Sequence, residues 1–82
     1  MAKKSTSKKG NTRDTLLENF GARLKYWREK RGLSGAELGD MVGMTRQAIS
    51  RLELGGANPS LVIMDKLCKA LKVKIETFLK GF

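Results

Sequence analysis

Eighty-two residues with a formal net charge of +9 make one small domain whose ionic balance favours an anionic partner, either nucleic acid or an acidic membrane surface. A single cysteine, Cys68, and no histidine exclude an intrachain disulfide, the usual zinc spacings and any nucleophile–histidine catalytic arrangement. The longest apolar runs, such as Leu61 to Met64, fall far short of the ~20 residues of a membrane span, and no secretory signal pattern opens the sequence, so a cytoplasmic protein is expected.

Residues Met1 to Arg13 carry Lys3, Lys4, Lys8, Lys9 and Arg13 among Ser, Thr, Gly and Asn, with no acid. That composition predicts a flexible basic arm over 1–13, followed by a folded domain over 14–82. All eight acids lie beyond the arm, which leaves residues 14–82 a net charge of +4. From Asp14 the apolar positions take helical spacing, Phe20, Leu24 and Trp27 at i, i+4, i+7 with Leu16 and Leu17 extending the face, and Gly32 marks the stop. Ser34 and Glu37 form a capping-box pair that opens a second helix with Leu38, Met41 and Val42 on one face, closed by Gly43 after about two turns. Thr45 caps a third helix with Ala48, Ile49 and Leu52 inward, ended by Gly55 and Gly56. Ser60, after the only proline, caps a fourth with Met64, Leu67, Cys68 and Leu71 repeating at i, i+3, i+4, i+7. Ile75, Phe78, Leu79 and Phe82 repeat the spacing in a short fifth helix, and no strand alternation intervenes, so the fold class is all-α.

Two short helices joined by a Gly-containing turn over Gly35 to Leu54 have the spacing of a DNA-binding helix-turn-helix. Gly39 inside the first of them costs about 1 kcal/mol relative to alanine, which points to a close approach of the following helix. Gly43 supplies the positive φ of the turn, Met44 fills the gap, and Leu38, Val42, Ile49 and Leu52 form the seam. The stretch RGLSGAELGDMVGMTRQAISRLELGGANPS resembles the Cro and phage-repressor (XRE-type) helix-turn-helix family. The match spans about Phe20 to Leu79, through Gly32-Leu33-Ser34, Gly39, Gly43, Ile49, Glu53 and Asn58-Pro59-Ser60. The resemblance implies a compact five-helix, lambda-repressor-like domain. One departure is Gly35, where many members carry a glutamine that touches a phosphate and braces the recognition helix.

On this reading the polar face of the third helix, Thr45, Arg46, Gln47, Ser50 and Arg51, meets the bases, led by Arg46, Gln47 and Arg51. Arginine pairs bidentately with guanine O6 and N7 and glutamine with adenine N6 and N7. Phosphate contacts are expected from Gly35 and Ala36 at the second helix N-terminus, from Asn58 and from Ser60. Similarity to the family implies that Arg28 and Glu53 form a structural ion pair. The arm lysines Lys3, Lys4, Lys8 and Lys9 either track phosphates or merely solubilise the chain. Tyr26 and Trp27 read as packing before stacking platform, and Cys68 as an inert buried thiol.

The apolar set Val62, Ile63, Ile75, Phe78, Leu79 and Phe82 either closes the monomer core or, the preferred expectation, forms a homodimer seam. Two such protomers would set their recognition helices roughly 34 Å apart on a pseudo-palindrome. The leading expectation is therefore a sequence-specific regulator of double-stranded DNA, most simply a dimeric repressor of bacterial or phage origin acting at the nucleoid. The alternative is an antitoxin that binds a toxin protein and regulates its own operon. A non-specific architectural role is a third outcome. No enzyme activity, metal or cofactor is expected, since no metal-ligand cluster or phosphate-cradling glycine loop is present.

Overall fold

A computed structural model describes residues 12–80, which form α1 (Thr12–Lys30), α2 (Gly35–Val42), α3 (Arg46–Glu53), α4 (Leu61–Leu71) and α5 (Ile75–Phe78). Helix α1 starts two residues before the expected Asp14, so Thr12 and Arg13 are helical while Lys3, Lys4, Lys8 and Lys9 lie outside the described residues. Asp14 falls in its first turn and Arg28 and Lys30 in its last, each sign opposite to the partial charge at that end of a helix.

The periodic apolar positions meet in one core of Phe20, Leu24, Leu38, Val42, Ile49, Leu52, Leu67, Cys68, Leu71 and Phe78. Trp27, Met44, Ile63, Met64, Ile75 and Leu79 pack against it from the edges. Helix α5, a single turn, closes the bottom: the Phe78 ring is fully buried and meets Phe20 with centroids 5.3 Å apart. Phe78 is thereby withdrawn from the expected dimer seam, because a side chain with no exposed surface has nothing to offer a second copy. Phe82 lies outside the described residues. Two other apolar positions also differ from expectation. Leu16 is about half exposed, since Leu17 and Phe20 already take the inward face of α1. Met41 is 54% exposed because α2 turns Leu38, Gly39 and Val42 inward and leaves it on the rim.

Two features of α1 make it the hub of the bundle. The first is Gly21: a Cβ there would collide with the carbonyl oxygens of Glu53 and Leu52, so only glycine lets α1 cross the end of α3 this closely. The second is its arginines, which hold the ends of other helices. Arg23 Nη1 donates to the Phe78 carbonyl at 2.6 Å, at the end of α5. Arg31 Nε donates to the Leu71 carbonyl at 2.6 Å and its Nη2 to Lys72 at 3.2 Å, at the end of α4. Unpaired carbonyls and the negative helix pole make such ends natural guanidinium sites. Arg31 also stacks over Trp27, its Cζ 5.1 Å from the ring centroid. Along the first half of α1, Leu17, Phe20, Met64 and Leu79 line an apolar cavity of about 260 Å³ that Leu16, Asn58 and Pro59 complete, so the start of α1 sits against the α3–α4 loop.

Candidate nucleic-acid interface

The two helices of the central motif are capped by their own sequence. Ser34 Oγ accepts from the Glu37 N–H at 3.0 Å while the Ser34 N–H donates to Glu37 Oε1 at 2.8 Å, the reciprocal capping box. Gly43 adopts φ 75°, a left-handed conformation that costs glycine nothing, and turns the chain in three residues into α3. What approaches Gly39 is the backbone of that turn, not helix α3 itself: a Cβ at Gly39 would strike the Met44 carbonyl oxygen, and the Met44 N–H donates to the Gly39 carbonyl at 2.8 Å. Thr45 Oγ1 then accepts from the Ala48 N–H at 3.0 Å and starts α3. The cap takes one of its two lone pairs, so the hydroxyl proton and one acceptor site remain to be offered outward. Ser60 is in the same position, with Oγ accepting from the Ile63 N–H at 3.1 Å.

Helix α3 has eight residues and two unlike faces. Ile49 and Leu52 are buried and Ala48 is half-buried, while Arg46, Gln47, Ser50 and Arg51 are all exposed. The exposed four fall at i, i+1, i+4, i+5, which places them in two adjacent rows on one side of the helix. The far end of α3 is anchored to α1. Arg28 Nε donates to Glu53 Oε2 at 2.6 Å and Nη2 to Oε1 at 3.1 Å, with side chains only 14% and 10% exposed. Arg28 Nη1 donates to the Leu33 carbonyl at 2.8 Å, so one guanidinium ties the α1–α2 loop to the last residue of α3. The hydrogen bond to Glu53 pushes the Arg28 pKa upward against the opposing effect of burial.

Gly35 and Arg46, the first residues of α2 and α3, are neighbours. Ala36, Asn58 and Ser60 are exposed. Arg51 is partly occupied, with Nη2 donating to the Gly56 carbonyl at 3.3 Å while the Gly56 N–H donates to the Arg51 carbonyl at 2.9 Å. Val62 and Leu61 on α4 are 64% and 72% exposed, whereas Ile63, Ile75 and Leu79 are half-buried against the core. Sequence reasoning missed Gly21, although the mid-helix-glycine argument that singled out Gly39 applied equally to it. It also missed Arg23 and Arg31, whose partners are main-chain carbonyls 55 and 40 residues away and leave no sequence signal.

No helix among the described residues is long and apolar enough to cross a membrane, and none of their His, Cys, Asp or Glu side chains cluster in the threes a metal needs. Residues 24–78 match the helix-turn-helix family model. The chain is 40% identical over 62 residues to a prophage-derived HTH-type transcriptional regulator, YonR, of Bacillus subtilis, covering 76% of this chain and 57% of that protein's length. Its fold is similar to that of the restriction-modification controller protein C.AhdI of Aeromonas hydrophila, with TM-score 0.76 and 34% identity over 79% of this chain and 98% of the other. It is also similar to the P22 c2 repressor, solved in complex with a synthetic operator, with TM-score 0.69 and 35% identity over 77% of this chain and 96% of that one. Nothing in these likenesses favours the antitoxin reading. The capped α2–turn–α3 unit, its outward polar face and these matches together place the chain in the helix-turn-helix family of XRE and phage-repressor type, whose members are DNA-binding transcriptional regulators and not enzymes.

Proposed function

We propose that the chain is a sequence-specific repressor that binds a pseudo-palindromic operator in double-stranded DNA as a homodimer, acting in the cytoplasm at the nucleoid. The observation that carries this reading is the outward row of Arg46, Gln47, Ser50 and Arg51 on a helix whose two ends and inner face are all anchored. Arg46, Gln47 and Arg51 read base edges, with Ser50 and the Thr45 hydroxyl beside them. The N–H groups of Gly35 and Ala36, with Asn58 and Ser60, take phosphates and set the register.

The arm lysines Lys3, Lys4, Lys8 and Lys9 add a sequence-independent hold on the phosphates. Val62, with the half-exposed flanks of Ile63, Ile75 and Leu79, forms the seam between protomers, and its exposed neighbour Leu61 adds to that apolar surface.

Selection of bound duplexes from a random pool by the full chain tests this. The expected product is a two-fold symmetric motif with half-sites about 10 base pairs apart. Equal affinity for random and selected DNA would refute it and leave a non-specific architectural binder. Deleting residues 1–9 is expected to weaken all sequences alike and to flatten the salt dependence by about 0.9 in log–log slope for each phosphate no longer neutralised.

A further inference from the structure

The geometry points to Gly35 as a residue that determines specificity by positioning Arg46, an inference that rests on the base-reading role proposed above. The chain has six arginines, and in the structure five of them are engaged. Arg13 pairs with Asp14, Arg23 with the Phe78 carbonyl, Arg28 with Glu53 and Leu33, Arg31 with Leu71 and Lys72, and Arg51 with Gly56. The Arg46 guanidinium has no hydrogen bond or ion pair among the described residues, and the side chain is exposed. Its stem has a definite neighbour. A methyl group placed at Gly35 would sit 3.5 Å from Arg46 Cγ, in ordinary van der Waals contact, with no other atom within 4 Å beyond its chain neighbours and the backbone of its own helix.

Gly35 is the first residue of α2 and does not have a positive φ, so its backbone does not require glycine. What glycine provides there is space. Arg46 Cγ borders the lane that a longer side chain at position 35 would enter. The guanidinium lies only three bonds beyond Cγ, so displacing the stem redirects the fork, and bidentate pairing with a base edge tolerates little misdirection. A single methyl at 35 just touches the lane and leaves it open. An unbranched three- or four-atom side chain fills it.

The test is selection of bound duplexes by full chains carrying no substitution, Gly35→Ala, Gly35→Gln, Gly35→Met, Arg46→Ala, and Arg46→Ala with Gly35→Gln or Gly35→Met. Thermal melts of each identify the folded ones, and Met serves the same purpose as Gln should the Gln chain not fold. The expected result has three parts. Arg46→Ala loses about tenfold to a hundredfold discrimination at one base pair per half-site. Gly35→Gln or Gly35→Met alters the preference at that same base pair, whereas Gly35→Ala keeps it. In the Arg46→Ala background the position-35 changes have no further effect, the signature of two residues acting as one.

The inference is overturned if Gly35→Gln and Gly35→Met keep the parent preference, or shift it equally without Arg46. It is also overturned, with sequence-specific reading intact, if the parent selects a motif that Arg46→Ala leaves unchanged. A parent that selects no motif overturns this inference and the proposed function together.

Discussion

Removing Glu53 tests how α3 is held. Its carboxylate receives two hydrogen bonds from Arg28, at 2.6 and 3.1 Å, in a setting where the two side chains are 14% and 10% exposed. Glu53→Ala leaves the guanidinium with only the Leu33 carbonyl as partner. Stranding one member of a pair this enclosed costs about 3–5 kcal/mol, far above the ~0–1 kcal/mol of a surface pair. At roughly 0.05–0.15 kcal/mol per residue, a domain of this size has about 4–12 kcal/mol in total, so the loss is a large share of its stability. Each kcal/mol moves the melting midpoint of so small a domain by about 4–8 °C, which sets the expected fall at about 12 °C or more. The paired replacement Arg28→Met with Glu53→Leu removes both charges and is expected to recover most of it, because neither partner is left uncompensated. Circular dichroism melts of the three chains measure this. A fall of only a few degrees for Glu53→Ala, or a double variant no better than the single, would refute the account of Arg28–Glu53 as an enclosed anchor.

Two further substitutions probe the core and the turn. Burial pushes the Cys68 thiol above its ordinary value of 9.0, with a smaller contribution from Asp65, so the folded state holds its proton where the unfolded chain releases it. Stability is therefore full below pH 9 and declines as pH rises above it, by at most about 1.4 kcal/mol per unit. Urea titrations between pH 8 and 10.5 are expected to show this decline and to lose that component in Cys68→Ala, and an unchanged slope in the variant would count against it. At Gly39 helix propensity alone favours alanine by about 1 kcal/mol, but the new Cβ strikes the Met44 carbonyl. Gly39→Ala is therefore expected to destabilise by about 1–3 kcal/mol as an overpacked site, and a raised melting midpoint would show that the turn yields.

The inner helices α2, α3 and α4 were legible in the sequence because each begins on its own cap. Ser34, Thr45 and Ser60 all accept the backbone N–H that their position predicts, and Gly43 takes the left-handed conformation that ends α2. Such signals are local, as is the apolar period that selected Leu24, Leu38, Ile49, Leu67 and Leu71 for the interior. Legibility failed at distance and at the edges of faces. Met41 and Leu16 have the right spacing for the inward face, yet only the presence of a neighbour decides whether a rim position is covered. Phe78 and Leu79 are adjacent in sequence and equally apolar, but α5 is one turn long and can bury only one of them fully. At the site, residue types on α3 announced an outward polar row. That Arg51 leans on Gly56 while Arg46 lies over Gly35 depends on where a loop and a second helix N-terminus come to rest.

The division of labour among the arginines explains how so small a motif can be rigid enough to read DNA. An eight-residue helix has no stability of its own in water, since about 12–15 residues are needed even for favourable sequences. Helix α3 exists because Thr45 holds its start, Ile49 and Leu52 hold its middle and Arg28 holds its end through Glu53. With no disulfide or metal among these anchors, the guanidinium groups of α1 do the stapling: Arg23 on α5, Arg31 on α4, Arg28 on α3. Each is committed to a carbonyl or carboxylate at a helix end. On the proposed reading, base recognition then falls to the outward row of α3, where Arg46 is the arginine with no hydrogen bond or ion pair among the described residues.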